Sequence, residues 1–161
     1  MKILGLIPAR MESSRFPGKP LKKIKNKLMI DHVYDNAKKN KLIDDIYIAT
    51  CNHEIVNNCI KKNQNYIMTS RTHKRATDRC AEALIKIEKK IKKKYDIVIL
   101  IQGDEPMLKS KMITEALRPF KKDKKLKISN LIYKVDKKEF YDKNVVKVVF
   151  DNNFNALYYS R

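Results

Sequence analysis

The sequence predicts an α/β fold built on a mixed, mostly parallel sheet with a β-rich C-terminal part. Three observations predict it. From residue 2 to residue 120, short continuous apolar runs alternate with stretches whose apolar residues recur every three to four positions. Those are the marks of buried parallel strands and of the helices that cover them. After residue 126, three strand patterns follow with no long helix between them. Finally, prolines and glycines gather at the ends of two apolar runs, where the loops of such a sheet converge.

The elements follow in order. "MKILGLIPAR" opens with a strand over 2–8; its apolar run ends in Pro-Ala-Arg, not in a small-residue cleavage site, so it reads as a strand and not as a signal peptide. A loop runs to Pro20. A helix over 30–39 carries Ile30, Val33, Tyr34 and Ala37 on one face. A strand is predicted at 46–50, a helix at 54–62 and a strand at 66–69. The helix over 78–93 has the clearest stripe (Cys80, Leu84, Ile87, Ile91), with Thr77 as its N-cap. "DIVILIQ" (96–102) is the most hydrophobic run and is predicted to be the central strand. A helix over 110–120 is capped by Ser110. Strands are predicted at 127–135, 145–150 and 155–160, with "DNN" (151–153) as a hairpin turn between the last two. No repeat, linker or domain boundary interrupts the chain, so a single domain over 1–161 is expected.

Composition narrows the function. With 161 residues, 43% hydrophobic and 34% charged, the chain reads as a globular domain, and no apolar run approaches the ~20 residues that span a bilayer. The net charge of +19 points toward nucleic acid. However, 30 of the 37 basic residues are lysines spread along the chain, in company with isoleucine and asparagine, whose codons are also AT-rich. Runs such as "KKIKKK" (89–94) and "KKDKK" (121–125) therefore read as solvated helix ends and loops. Aromatics cluster at Phe140–Tyr141 and Tyr158–Tyr159 and form no base-stacking platform. A specific nucleic-acid partner is not expected. Three cysteines without a C-x-x-C spacing suit a reducing, cytoplasmic compartment and carry no metal signature. His32, His53 and His73 form no ligand cluster and read as surface or helix residues.

Against so much lysine, the arginines are informative, because guanidinium offers a planar bidentate grip that lysine lacks. Arg10 and Arg15 lie in the loop after the first strand, with Lys19, Ser13, Ser14 and Gly18. Fixed cations and backbone donors in a loop stiffened by proline suit a polyphosphate. This is not a Walker P-loop, since no G-x-x-x-x-G-K-[ST] is present. In "QGDEP" (102–106), Asp104 and Glu105 end the strongest strand. A carboxylate beside polyphosphate is where Mg²⁺ would be held. "TSRTHKRATDR" (69–79) brings arginines and hydroxyls to a helix N-terminus, able to read a base or hold a triphosphate.

These stretches also resemble a known family. "IPARMESSRFPGKPL", "RATDRCAEAL", "IQGDEPM" and "NVVKVVFDNNFNALYYSR" occur in the order and at the spacing of 3-deoxy-manno-octulosonate cytidylyltransferases, the CMP-Kdo synthetases of lipopolysaccharide synthesis. The resemblance covers essentially the whole chain. It implies a Rossmann-like nucleotide-diphospho-sugar transferase fold, Mg²⁺ as cofactor, and transfer of CMP from CTP to Kdo with release of pyrophosphate. By position, Arg10 and Lys19 resemble the catalytic phosphate-gripping residues, with Pro8, Ala9 and Arg15 in the same nucleotide loop. Asp104 resembles the catalytic, metal-binding aspartate. Gln102 resembles a sugar-acid contact, and Arg161 matches the arginine near the sugar site. Arg75, Thr77 and Arg79 match the segment that helps form the nucleotide pocket. The implied partners are CTP and an acidic, Kdo-like sugar, with a homodimer for the full-length protein and no membrane.

Two departures from the family pattern stand out. Many members read Ser-Gly-Thr where this chain has Arg75-Ala76-Thr77, which leaves open another acidic sugar of the amino-Kdo, sialic or legionaminic kind. Relatives also continue past the position of Arg161, into a portion with a second metal aspartate, further sugar contacts and dimer interface. An inactive nucleotide-binding fragment is the remaining alternative. The chain by itself is expected to expose apolar surface at Leu157, Tyr158 and Tyr159, to bind CTP weakly and to form no CMP-sugar.

Overall fold

The computed structural model describes residues 1–12 and 16–161. The chain divides into two compact units, Met1–Arg118 and Pro119–Arg161.

The first unit is organised by β1 (Ile3–Ala9). Strand β1 pairs in parallel with β4 (Asp45–Thr50) on one side and with β6 (Ile97–Leu100) on the other, and β5 (Tyr66–Met68) extends the sheet beyond β4. The order is β5-β4-β1-β6, all parallel. Side chains of β1 alternate between the two faces. Ile3, Ile7 and Ala9 join Ile30, Val33, Tyr34 and Ala37 of α1 (Met29–Lys38), Ile55 and Cys59 of α2 (His53–Lys61), and Ile113 and Leu117 of α4 (Ser110–Lys122). On the opposite face, Leu4 and Leu6 pack with Cys80, Ala83 and Ile87 of α3 (Ala76–Ile91). Both faces are covered, which is why "ILGLI" is a continuous apolar run instead of an alternating one. Leu4, Leu6 and Ile7 are fully buried, each contributing about 1.5–3 kcal/mol. No described helix is long and apolar enough to cross a membrane.

Several expectations change. The most hydrophobic strand, β6, is not central: among the described residues it pairs with β1 alone and lies at the end of the sheet, while β1 and β4 are interior. Hydrophobicity reports what covers a strand's faces and says nothing of how many neighbours share its ladder. Thr77 is not the N-cap of α3. That position is Arg75, extended at φ −107° and ψ 148°, because the Arg79 N–H already reaches the Arg75 carbonyl at 3.4 Å. Ser110 likewise lies inside α4. A small antiparallel hairpin, β2 (Lys23–Ile24) with β3 (Lys27–Leu28), lies between the expected loop and α1, where no element was predicted; its turn holds Lys25 at φ 56°.

In the second unit, the predicted strand over 127–135 forms no ladder among the described residues. Extended backbone becomes a strand only where a partner takes its N–H and C=O groups. A short helix unforeseen from the sequence, α5 (Lys137–Tyr141), begins with a capping box: Asp136 accepts the Glu139 N–H and Glu139 accepts the Asp136 N–H. β7 (Lys147–Phe150) and β8 (Ala156–Ser160) form the expected antiparallel hairpin. Its turn is organised by Asp151, which accepts the N–H groups of Asn153 and Asn155. Leu157, Tyr158 and Tyr159 are exposed at 67%, 63% and 48%, as the sequence led one to expect.

Candidate active site

The loops after β1 and β6 meet at the carboxyl end of the sheet. The loop after β6 lies against the end of β1 at Gly103, where a Cβ would lie 2.7 Å from the Pro8 carbonyl oxygen. Backbone thus packs on backbone, and the residues on either side of the contact are brought together. Pro8, Ala9, Arg10, Lys19, Gln102 and Asp104 line a cleft of about 250 Å³. Lys19 Nζ donates to Asp104 Oδ2 at 2.8 Å across 85 residues of sequence. The predicted phosphate cation and the predicted metal carboxylate are therefore neighbours.

Lys19 is delivered by its backbone. Gly18 sits at φ 71°, a left-handed conformation natural to glycine, and opens a single 3₁₀ turn over Lys19–Leu21 whose Pro20 is buried. The Gly18 N–H returns to the Met11 carbonyl at 2.9 Å. Glu12 also lines this cleft. The Asn52 amide bonded to it, its own backbone N–H, and the cations Arg71 and Arg10 hold its carboxyl below the usual range.

A second cleft, of about 120 Å³, shares Pro8, Ala9 and Arg10 with the first and is walled by His73, Lys74, Arg75 and Arg79. Arg10 thus stands at the junction of the two. Arg79 is buried at 3% exposure, and its Nη1 donates to the Thr69 hydroxyl and the Ser70 carbonyl. It braces the cleft wall as well as lining it. Glu82 ties down the same segment: it accepts the Ser70 N–H at 2.8 Å and pairs with His73 and Lys86.

Of the residues singled out from sequence, Pro8, Ala9, Arg10, Lys19, Gln102 and Asp104 gather in the first cleft and Arg75 and Arg79 in the second. Thr77 is exposed and lines neither. Arg161 is exposed at the end of the second unit. Ser13, Ser14 and Arg15 lie outside the described residues. Glu12, His73 and Asn52 were not foreseen. Glu12 and His73 stood inside the very stretches singled out, whereas nothing local to "ATCNHE" signals Asn52.

The model of a cytidylyltransferase family matches residues 4–161. Among similar proteins, the 3-deoxy-manno-octulosonate cytidylyltransferase of Fusobacterium nucleatum is 44% identical, and that of Thermodesulfovibrio yellowstonii 42%. Each match covers all of this chain but 64% of the relative, so the chain spans less than two thirds of their length. The mitochondrial 3-deoxy-manno-octulosonate cytidylyltransferase of Arabidopsis thaliana is 38% identical over 99% of this chain and 54% of its own. A solved structure of a CMP:2-keto-3-deoxy-manno-octonic acid synthetase complexed with CTP superposes with a TM-score of 0.92 at 34% identity, covering 99% of this chain and 64% of that one. With its parallel sheet, its paired clefts and a family match along nearly its whole length, the chain belongs to the cytidylyltransferase family.

Proposed function

We propose that this chain handles the nucleotide in a cytoplasmic cytidylyltransferase that moves CMP from CTP to Kdo, releases pyrophosphate and serves lipopolysaccharide synthesis. The observation that carries the reading is the first cleft, where Arg10, Lys19 and Asp104 converge at the carboxyl end of a parallel sheet. The names of the similar proteins supply the sugar, and the resemblance supplies a homodimer for the full-length protein.

In this reaction the anomeric hydroxyl of the sugar acid attacks the α-phosphorus of CTP in line with the departing pyrophosphate. Lys19 and Arg10 offset the charge that builds on the leaving group, an effect largest in the transition state. Gln102 orients the sugar acid, and the second cleft receives the nucleoside against Arg75 and Arg79. Asp104 is the residue that would hold Mg²⁺, which supplies Lewis-acid polarisation of phosphate oxygens when bound. The donor set fits that ion. Among the described residues no three His, Cys, Asp or Glu side chains gather to enclose a metal, and a hard cation held by one carboxylate with phosphate oxygens needs no such cage.

Calorimetric titration of the chain with CTP, UTP and ATP in Mg²⁺ tests the reading. CTP is expected to bind selectively, and Lys19→Ala or Arg10→Ala to weaken it about tenfold, the loss of one charge-assisted contact. Equal binding of the three nucleotides, or unchanged affinity in both variants, overturns it. In the chain extended by the remaining C-terminal part of the Fusobacterium relative, pyrophosphate release should require Kdo and vanish in Asp104→Asn. Release driven equally by a sialic-type sugar would move the substrate to another acidic sugar.

A further inference from the structure

Asn52 follows β4 and is the N-cap residue of α2, at φ −112° and ψ 124°. An asparagine in that position ordinarily turns its side-chain oxygen onto the N–H groups of its own helix. This one makes no side-chain cap bond among the described residues. Its side chain leaves the helix it begins and crosses to the loop after β1. Oδ1 accepts the Met11 N–H at 3.1 Å and Nδ2 donates to Glu12 Oε1 at 3.0 Å. One partner is a donor and the other a carboxylate, so only one orientation of the amide satisfies both. Asn52 is 5% exposed. Its own N–H donates to the Thr50 hydroxyl at 3.2 Å, and Cys51 Sγ donates to Oδ1 at 3.3 Å. The backbone of Asn52 is therefore fixed to the end of β4 and its side chain is held from behind by Cys51, with Asn52 two residues past the Ala9↔Thr50 register pair.

What it holds is the anchor of the phosphate-facing loop. Met11 has both backbone groups committed: its N–H to Asn52, and its carbonyl to the Gly18 N–H at 2.9 Å. The chain leaves β1 through Arg10, passes Met11, and returns at Gly18 directly into Lys19. Both proposed phosphate cations thus adjoin residues tied to this one point. We infer that Asn52 is a positioning residue for the polyphosphate half of the cleft, clamping Met11 and Glu12 so that Arg10 and Lys19 face the same anion. The inference rests on the nucleotide reading and deepens it. Glu12, an acid at the mouth of an anion cleft, is explained as the second jaw of the clamp instead of a ligand contact.

The test compares the wild-type chain with Asn52→Ala, Asn52→Asp and the double variant Asn52→Asp/Glu12→Gln. Affinities for CTP and for CMP in Mg²⁺ are measured by calorimetry, and hydrogen exchange of the Met11 amide by NMR. Asn52→Ala and Asn52→Asp should weaken CTP about tenfold and CMP by less than about twofold, because CMP lacks the phosphates that Lys19 serves. Met11 exchange should accelerate in both. The double variant should restore CTP affinity and Met11 protection: the new amide donates to the new carboxylate, whose other oxygen still accepts the Met11 N–H. Equal losses for CTP and CMP, wild-type behaviour of both single variants, or no recovery in the double variant overturns the inference. Should Asn52→Ala fail to fold, the two aspartate-bearing proteins carry the comparison alone. Should the wild type bind neither nucleotide, the nucleotide reading fails by itself. Met11 exchange then still decides the clamp, upheld by acceleration in Asn52→Asp with recovery in the double variant, and overturned by uniform protection.

Discussion

Burial works against a charged Glu82, yet bonds from Lys86, the Ser70 N–H and His73 outweigh it and bring its carboxyl from the ordinary 4.5 down to about 2. A folded-state pKa below the unfolded one stabilises the fold fully above the unfolded value and loses that stabilisation as pH falls through the folded one. The window therefore runs from about pH 5 down to about pH 2. Urea midpoints taken across it should fall more steeply for wild type than for Glu82→Gln; parallel slopes would remove Glu82 from the acid response. Because Glu82 ties down Ser70 and His73, the same acidification loosens the wall of the second cleft. Arg79 teaches a related lesson. In a lysine-rich chain its guanidinium signalled a demand for geometry, and the structure spends that geometry on Thr69 and Ser70 as well as on the cleft.

Between elements, the contact that assembles the site is backbone against backbone. Gly103→Ala would force a methyl to within 2.7 Å of the Pro8 oxygen. The loop after β6 must then retreat from β1, at a cost of about 1–3 kcal/mol, the usual penalty of overpacking. Thermal denaturation should show the loss, and CTP affinity should fall with it, since Gly103 lies between Gln102 and Asp104. A variant as stable as wild type would mean that the loop after β6 stands apart from β1 in solution. The element boundaries show which signals are local. The 3.6-residue stripe of α3 was readable, but its first residue was not, because Thr77 and Arg75 compete for a cap that long-range brackets decide: Arg79 on Thr69, Glu82 on Ser70. The α5 capping box was present in the sequence as Asp136 and Glu139, masked by the apolar residues around it that read as strand. The β2–β3 hairpin is two residues a side, too short for any periodicity to register.

For the molecule as a whole, the first unit carries two apolar clusters joined through β1, and each holds a cysteine: Cys59 on one face and Cys80 on the other. Burial pushes both thiols up to about 11, and Cys51 is buried in the same unit. At pH 8 a disulfide reagent should label these thiols at least about a hundredfold more slowly in the native chain than in urea, since access requires opening. Cys59 and Cys80 should then react together, because β1 belongs to both clusters. Early labelling of one alone would show that the two faces open separately. By itself, the sequence determined the order of the parallel strands and long helices from β1 to α4 and the β7–β8 hairpin, the two stiff loops at the strand ends, and the cationic and carboxylate residues gathered within them. Each of those is written in local periodicity, in proline and glycine, or in side-chain chemistry. Only the tertiary structure decided that β1 and not β6 is interior, that Lys19 meets Asp104, and that Asn52 abandons its own helix to hold Met11. Ladder partners and contacts across 41 or 85 residues depend on where distant segments come to rest, and no local pattern records that.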